Sequence, residues 1–205
     1  RAAPVLIDEG RADGNPWGIR FMTMFHMSND SHLFADTPGE GLLPLYEAKL
    51  IHQFDHRWAT YIDTDKTRDV LTAEKADLDL VVTPRYWVDE SEVRERLAGK
   101  GWESGWLTGW RRNARSTDDR TTIATVMPRV GVGDSLFLYL PGSAVGAAES
   151  AALLGALNSM PLDFVARQKV GGMNYSFYYF RQLPVPAPDS FAPQDLTYIV
   201  PRVLE

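Results

Sequence analysis

The fold class is decided by one alternating stretch, Trp17-Gly-Ile-Arg-Phe-Met-Thr-Met-Phe-His-Met27. Every second residue from Trp17 to Met27 is apolar except Thr23, and the intervening set includes Arg20 and His26. A period of two predicts a β-strand with one buried face. Because a strand is stable only when it pairs with others, this stretch predicts a sheet whose other strands come from elsewhere in the chain.

Outward from this stretch, strand patterns and helix patterns are mixed along the chain. Apolar runs predict strands at residues 78–82, 121–127 and 135–140, and the glycines at 131–134 predict a turn between the last two.

Helix signals are fewer but specific. Asp89 and Glu92 have the spacing of a capping pair, which predicts a short helix that ends before Gly99. Residues 147–169 are predicted to hold the longest helices, first through an alanine-rich run and then through a second helix started by Pro161. The sequence therefore predicts a mixed α/β (α+β) fold, rich in strands and with a few short helices.

Composition sets the broad class of the protein. The 205 residues are 44% hydrophobic and 23% charged, which is typical of a globular domain with its own core. The chain has no cysteine, which excludes disulfides, thiolate metal sites and a cysteine nucleophile. We find no membrane-span pattern and no signal-peptide pattern, and we therefore expect a cytoplasmic location. Since the chain does not begin with methionine, we expect it to be part of a longer one.

The net charge of −6 argues against a general nucleic-acid coat, whose signature is a basic excess. Site-specific binding depends instead on where the cations lie, and here they are clustered. Four arginines fall within ten residues, namely Arg111, Arg112, Arg115 and Arg120. A solvated loop is the alternative interpretation of this cluster.

No pattern in the chain predicts an active site. His52 and His56 have the i, i+4 spacing of a zinc pair, but a metalloprotease glutamate does not follow His52. Asn15-Pro16-Trp17 lacks the second proline of an amino-methyltransferase motif, and Gly131 and Gly133 lack the third glycine of a phosphate loop. We therefore predict no catalytic, cofactor-binding or metal-binding residue in this chain.

Four segments carry a resemblance to a known family, at residues 15–31, 44–61, 110–121 and 158–186. The second reads Pro44-Leu-Tyr-Glu-Ala-Lys-Leu-Ile-His-Gln-Phe-Asp-His-Arg-Trp-Ala-Thr-Tyr61. The fourth contains Asp163-Phe-Val-Ala-Arg-Gln-Lys-Val-Gly-Gly-Met-Asn174. Together they resemble the C-terminal region of single-chain adenine-specific DNA methyltransferases. The nearest types are the type IIG and type ISP restriction-modification enzymes and the phage-defence methyltransferases of the BREX (PglX) and DISARM systems.

The resemblance implies a DNA target-recognition domain over residues 15–186, after a fragment start or linker at 1–14 and before a Pro-containing tail at 187–205. In such enzymes the N-terminal region binds S-adenosylmethionine and flips an adenine, and its motifs are not found in this sequence. The implied partners are double-stranded DNA, the methyltransferase domain of the same parent chain and other defence-system subunits. Whether the parent enzyme also cleaves DNA is left open.

Arginine suits guanine and phosphate, and asparagine suits adenine. On that basis the expected DNA-binding residues are Arg57, Arg85, Arg111, Arg112, Arg115, Arg120, Arg167, Lys169 and Asn174.

Each of these expectations has an alternative. Arg120 is alternatively an ion-pair partner of Asp118 or Asp119, and Arg57 of Asp55. Tyr86 and Trp87 fit core packing better than base stacking. An alternative places the residues that contact base edges at 64–75 or 102–110, where the sequence resembles the family less. A different function is also open, namely a protein-interaction module that docks the methyltransferase to other defence subunits.

Overall fold

The computed structural model describes residues 4–115 and 117–204. Their secondary structure is mixed, with ten strands and six α-helices, and the predicted α+β class is confirmed. The strands are β1 Arg20–Met22, β2 Phe34–Ala35, β3 Leu42–Tyr46, β4 Ala59–Tyr61, β5 Thr67–Asp69, β6 Tyr86–Asp89, β7 Trp106–Arg111, β8 Ala124–Pro128, β9 Gly131–Val132 and β10 Leu136–Leu140. The helices are α1 Thr72–Lys75, α2 Glu90–Ala98, α3 Ala147–Leu157, α4 Met160–Lys169, α5 Phe177–Phe180 and α6 Pro193–Leu204.

The strands form three sheets. The central sheet is antiparallel, in the order β1-β10-β7-β8. A second sheet has the order β2-β6-β3-β9, in which β9 runs parallel to β3 and the other pairs are antiparallel. A two-stranded ribbon, β4-β5, stands apart from both.

The central sheet is buried on both faces. Along β10, Leu136 and Leu138 belong to a core shared with the second sheet and α2. Phe137 and Tyr139, which point the other way, belong to a second core shared with helices α3 to α6. Alternate residues of a strand face opposite sides of a sheet, so the fold has three layers, with the central sheet in the middle.

The stretch from Trp17 to Met27 differs from its prediction. Only its middle part pairs as β1, and residues of both parities are buried. Ile19 lies in the helix-side core, whereas Met24 and Phe25 lie in the sheet-side core. The prediction of one buried face was wrong because this strand lies in a middle layer, with apolar neighbours on both sides.

The strand predicted at residues 78–82 is also absent from the structure. Leu78 and Val81 are 91% and 71% exposed, and only Val82 of this run is fully buried. By contrast, strands β8 and β10 confirm the patterns at 121–127 and 135–140. The predicted turn at 131–134 contains the short parallel strand β9, which joins the second sheet.

Local sequence signals placed α2, α3 and α4 correctly. Asp89 accepts a hydrogen bond from the backbone nitrogen of Ser91 at 2.7 Å and caps α2, and α3 and α4 occupy the predicted region. The predicted tail, however, contains α6, which at 12 residues is one residue longer than α3. Gly155 of α3 allows α6 to approach closely, because a Cβ at this position would lie 3.0 Å from Val203.

Both ends of the described chain pack against the fold. Leu6 is buried, and its backbone nitrogen donates to the carbonyl of Leu183 at 2.8 Å. Residues 1–3 of the predicted leading segment, residue 205 of the predicted tail and residue 116 of the third family-like segment lie outside the described residues. None of the described helices has the length and apolar character that a bilayer crossing requires.

Candidate nucleic-acid interface

Two segments that the sequence singled out separately are paired in the structure. Asn113 and Asn174 form an antiparallel bridge. Beside it, the backbone nitrogen of Ala114 donates to the carbonyl of Met173 at 3.2 Å, and that of Tyr175 donates to the carbonyl of Arg112 at 2.7 Å. The arginine-rich loop after β7 and the glycine-containing loop after α4 therefore form one surface, which we call the paired-loop surface (residues 111–115, 117–120 and 167–174).

A buried carboxylate fastens this surface to α4. Asp163 is only 5% exposed, and its Oδ1 accepts hydrogen bonds from the backbone nitrogens of Thr121 at 2.8 Å and Thr122 at 2.7 Å. Its Oδ2 lies 3.6 Å from Arg167 Nη2, and Arg167 in turn donates to the carbonyls of Asp118 and Asp119. The loop is thus held by side chains on a helix more than forty residues away.

A buried amide makes a similar contact two residues further along the chain. Asn158, at the end of α3, accepts from the backbone nitrogen of Ala124 at 3.0 Å and donates to its carbonyl at 2.9 Å. Asn158 and Asp163 were not among the predicted site residues, although both lie in the fourth family-like segment. Their signal in the sequence was a polar residue in an otherwise apolar helical region.

Trp110 forms the floor beneath the paired loops. Its ring is fully buried and stacks on Phe180 with ring centroids 3.8 Å apart, and its Nε1 donates to the carbonyl of Tyr175 at 2.9 Å. This indole therefore joins the central sheet to the segment that pairs with the arginine-rich loop.

Two of the clustered arginines are directed into the protein. Arg111 donates from Nε to the carbonyl of Ile51 at 3.1 Å, and its Nη2 donates to the same oxygen. Arg112 lies 3.3 Å from the carboxylate of Asp134, and its Nε donates to Asn174 Oδ1 at 3.4 Å. These contacts with protein groups fix both side chains and stabilise the paired-loop surface.

Three further cations of the paired-loop surface make no ion pair with any described residue. Arg115 is exposed, and Arg120 and Lys169 are half-buried. In the described chain neither Asp118 nor Asp119 lies within ion-pair distance of Arg120, so the alternative of an Arg120 ion pair with them was wrong. These three side chains therefore keep their charge available to an anionic partner.

Arg57 and Arg85 lie elsewhere and are occupied by protein groups. Arg57 donates to the carbonyls of Lys75 at 3.1 Å and Asp77 at 3.0 Å. Asp55 does accept from the backbone nitrogen of Arg57, but its ion pair is with Lys75, at 2.6 Å.

Arg85 is fixed in a similar way, at the edge of an aromatic pocket. It lies 2.7 Å from Glu47 and 3.2 Å from Asp65. Tyr86 and Trp87 line the same pocket of about 520 Å³. The ring of Tyr86 also stacks on Phe34, with centroids 5.9 Å apart, as expected for a packing role.

The histidine pair does not have helical geometry, because residues 52–58 form turns. In the ranges that the structure describes, no three His, Asp or Glu side chains are grouped closely enough to hold a metal ion. Burial lowers the pKa of both His52 and His56, and nearby arginines lower it further, Arg111 for His52 and Arg57 for His56.

These two histidines predict acid sensitivity. Because each imidazole binds a proton less readily in the folded than in the unfolded chain, acid favours the unfolded state. We expect the free energy of unfolding to fall as the pH drops below about 6.5, the ordinary histidine pKa. Urea denaturation at a series of pH values measures this, and replacing both His52 and His56 by Gln should flatten the curve. His32→Gln, at an exposed position, is the control. An equally steep curve for the double variant would contradict the assignment.

When the chain is compared with protein-family models and with curated protein sequences, no match is found.

Proposed function

We propose that this chain is the sequence-specific double-stranded DNA recognition domain of a larger S-adenosylmethionine-dependent adenine-N6 DNA methyltransferase, from a restriction-modification or phage-defence system. The four family-like segments support the proposal. The observation that carries it is the pairing of the 112–114 and 173–175 segments, which gathers cations without ion-pair partners on one surface.

The chemistry of DNA docking suits this surface. A methyltransferase reaches an adenine only after extruding it from the duplex, so a separate module must first dock on the right sequence. Docking requires cations for phosphates and a few polar side chains for base edges. Arg115 and Lys169 supply the first kind of group, and the exposed amides of Asn113, Gln168 and Asn174 supply the second.

The acidic balance of the chain is compatible with this role because an exposed acidic group lies away from the paired-loop surface, whose own acids are Asp118 and Asp119. Asp63, Asp65, Asp69, Asp77 and Asp79 are all exposed, on and around the β4-β5 ribbon and α1. Under this proposal methyl transfer and S-adenosylmethionine binding belong to the rest of the parent chain, and this domain contributes orientation and specificity.

The direct test is selection from a randomised duplex pool at physiological salt, followed by sequencing of the bound DNA. An enriched word of several base pairs supports target recognition. Failure of the folded chain to bind any duplex at low salt would contradict the proposal.

Arg115→Ala with Lys169→Ala is expected to weaken duplex binding by about tenfold or more, since a hydrogen bond between charged groups contributes about 1.5–3 kcal/mol. The slope of log affinity against log salt should fall by about 0.9 for each phosphate that the protein no longer neutralises. Fluorescence anisotropy at several salt concentrations measures both quantities. The matched control is Arg94→Ala with Lys100→Ala, which removes two exposed cations at α2. Equal losses in the two double variants would mean that only net charge matters.

One observation favours the alternative of a protein-docking module. Met160 and Phe164 lie one turn apart on α4 and are 68% and 66% exposed. Exposed apolar side chains next to one another commonly mark protein contacts. The pool selection separates the two functions, because a pure docking module binds no duplex.

A further inference from the structure

A pocket of about 290 Å³ opens within the paired-loop surface. Its lining includes His52, Arg111, Arg120 and Thr121, with Asp118 and Asp119 also in its wall. The pocket is therefore built from the arginine-rich loop and from the turn that precedes β4. These two segments are more than fifty residues apart in the sequence.

Two guanidinium groups in this pocket have no counter-ion. In the described chain no carboxylate lies within 4.0 Å of either Arg111 or Arg120. Burial lowers the pKa of Arg111, and the charge of Asp118 only partly opposes this effect. A partly buried cation is costly unless an anion accompanies it. The pocket thus holds two guanidinium groups without a directly paired carboxylate, with Asp118 and Asp119 elsewhere in its wall.

A buried hydroxyl in the pocket wall also lacks a partner. Thr121 is 1% exposed, and its Oγ1 makes no hydrogen bond with any described residue. Its backbone nitrogen is already bonded to Asp163, so the hydroxyl is the group left to be satisfied. Buried hydroxyls normally have a partner, and an unmatched one in a pocket wall points to a ligand that accepts a hydrogen bond.

Both guanidinium groups of the pocket act on His52. After burial, the groups that act most on the pKa of His52 are Arg111, which lowers it, and Asp55, which raises it, followed by Arg120, which lowers it. The charge of Asp118 acts instead on Arg111, whose pKa it raises. Asp118 is in addition engaged, through Oδ2, with the backbone nitrogen of Arg115 at 2.9 Å.

We propose that this pocket binds one phosphate group of the DNA backbone, with Arg111, Arg120 and the Thr121 hydroxyl as donors. This inference rests on the proposed function and deepens it, because it assigns Arg120 to a backbone phosphate and not to a base edge. The planar fork of arginine matches phosphate oxygens, and charge-assisted hydrogen bonds of this kind are the strong ones. His52, whose ring lies against that of Trp58 with centroids 4.4 Å apart, also lines this pocket.

The pocket is tested first without DNA, by titrating inorganic phosphate into isotopically labelled protein and following arginine Nε and histidine ring signals by NMR. We expect saturable shifts at Arg111, Arg120 and His52 and an upward shift of the His52 pKa, because a bound anion favours the imidazolium. Arg120→Gln should weaken phosphate binding by about tenfold. Arg94→Gln, at an exposed position on α2, should leave it unchanged. Absence of shifts at these three residues overturns the inference, whether or not the chain binds DNA.

A second arm identifies the source of the phosphate. With the duplex word found by selection, Arg120→Gln should lower the salt slope by about 0.9, and Arg94→Gln should not. An unchanged slope in a variant that no longer binds inorganic phosphate would overturn the DNA-backbone assignment in favour of a free phosphate compound. If the wild-type chain binds no duplex at all, the proposed function fails, and the phosphate titration alone then decides the pocket. Thermal unfolding of each variant confirms that it is folded.

Discussion

Asp163→Ala is expected to lower the free energy of unfolding by about 3–5 kcal/mol. The substitution leaves the backbone nitrogens of Thr121 and Thr122 buried without an acceptor, and it removes the carboxylate that faces Arg167. Equilibrium denaturation in urea, followed by tryptophan fluorescence and far-UV circular dichroism, measures the change in stability.

Two further variants separate the causes of that change. Asp163→Asn keeps an oxygen that accepts from both nitrogens but removes the charge and places an NH2 group where Oδ2 faces Arg167, so its cost should be smaller than that of Asp163→Ala. Asp119→Ala, at an exposed position in the same loop, should change the free energy by no more than about 0.5 kcal/mol. If Asp163→Ala costs no more than Asp119→Ala, then this carboxylate does not fasten the loop.

Trp110→Ala is expected to lower the free energy of unfolding by about 3–5 kcal/mol as well, through a cavity in the helix-side core. The indole is fully buried among aromatic rings, and Phe180, Phe177 and Phe137 all lie within 5.6 Å of it between centroids. In a chain of this size the midpoint of thermal unfolding should fall by about 10 °C. Differential scanning calorimetry checks the change.

Trp110→Phe is the matched variant, because it keeps a ring on Phe180 while it removes the hydrogen bond to the carbonyl of Tyr175 and a smaller part of the buried volume than Trp110→Ala. We expect a clearly smaller destabilisation for it than for Trp110→Ala. Equal destabilisation would show that the hydrogen bond, and not the packing, determines stability at this position. Either result bears on the paired-loop surface, since Tyr175 belongs to the segment that the arginine-rich loop pairs with.

The structure gives the clustered cations two separate roles. Arg112 and Arg167 are engaged with protein groups that shape the surface, whereas Arg115 and Lys169 are unpaired among the described residues. Under the proposed function, variants of the first kind are expected to alter stability, and variants of the second kind to alter DNA affinity and its salt dependence. The sequence thus indicated the cations of the candidate site, but it did not indicate which of them are engaged with protein groups and which make no ion pair with the described residues.

The sequence by itself determined the features that depend on neighbours along the chain. Asp89 caps α2 through a hydrogen bond to Ser91, two residues away, and Pro161 lies in the first turn of α4. Such signals are local, because a cap or a preset backbone angle acts within one turn of the chain. For the same reason the alanine-rich run predicted α3 correctly.

Tertiary structure alone decided everything that depends on partners distant in sequence. The stretch from Trp17 to Met27 has buried residues on both faces because α3 to α6 cover one side of the central sheet and the second sheet covers the other, while the apolar run at 78–82 joins no sheet. Asp163 became an anchor because the fold brings the backbone of Thr121 and Thr122 to it across about forty residues. Whether an arginine stabilises the protein or remains free for a ligand depends on which carbonyls and carboxylates surround it, and only the packed chain places them.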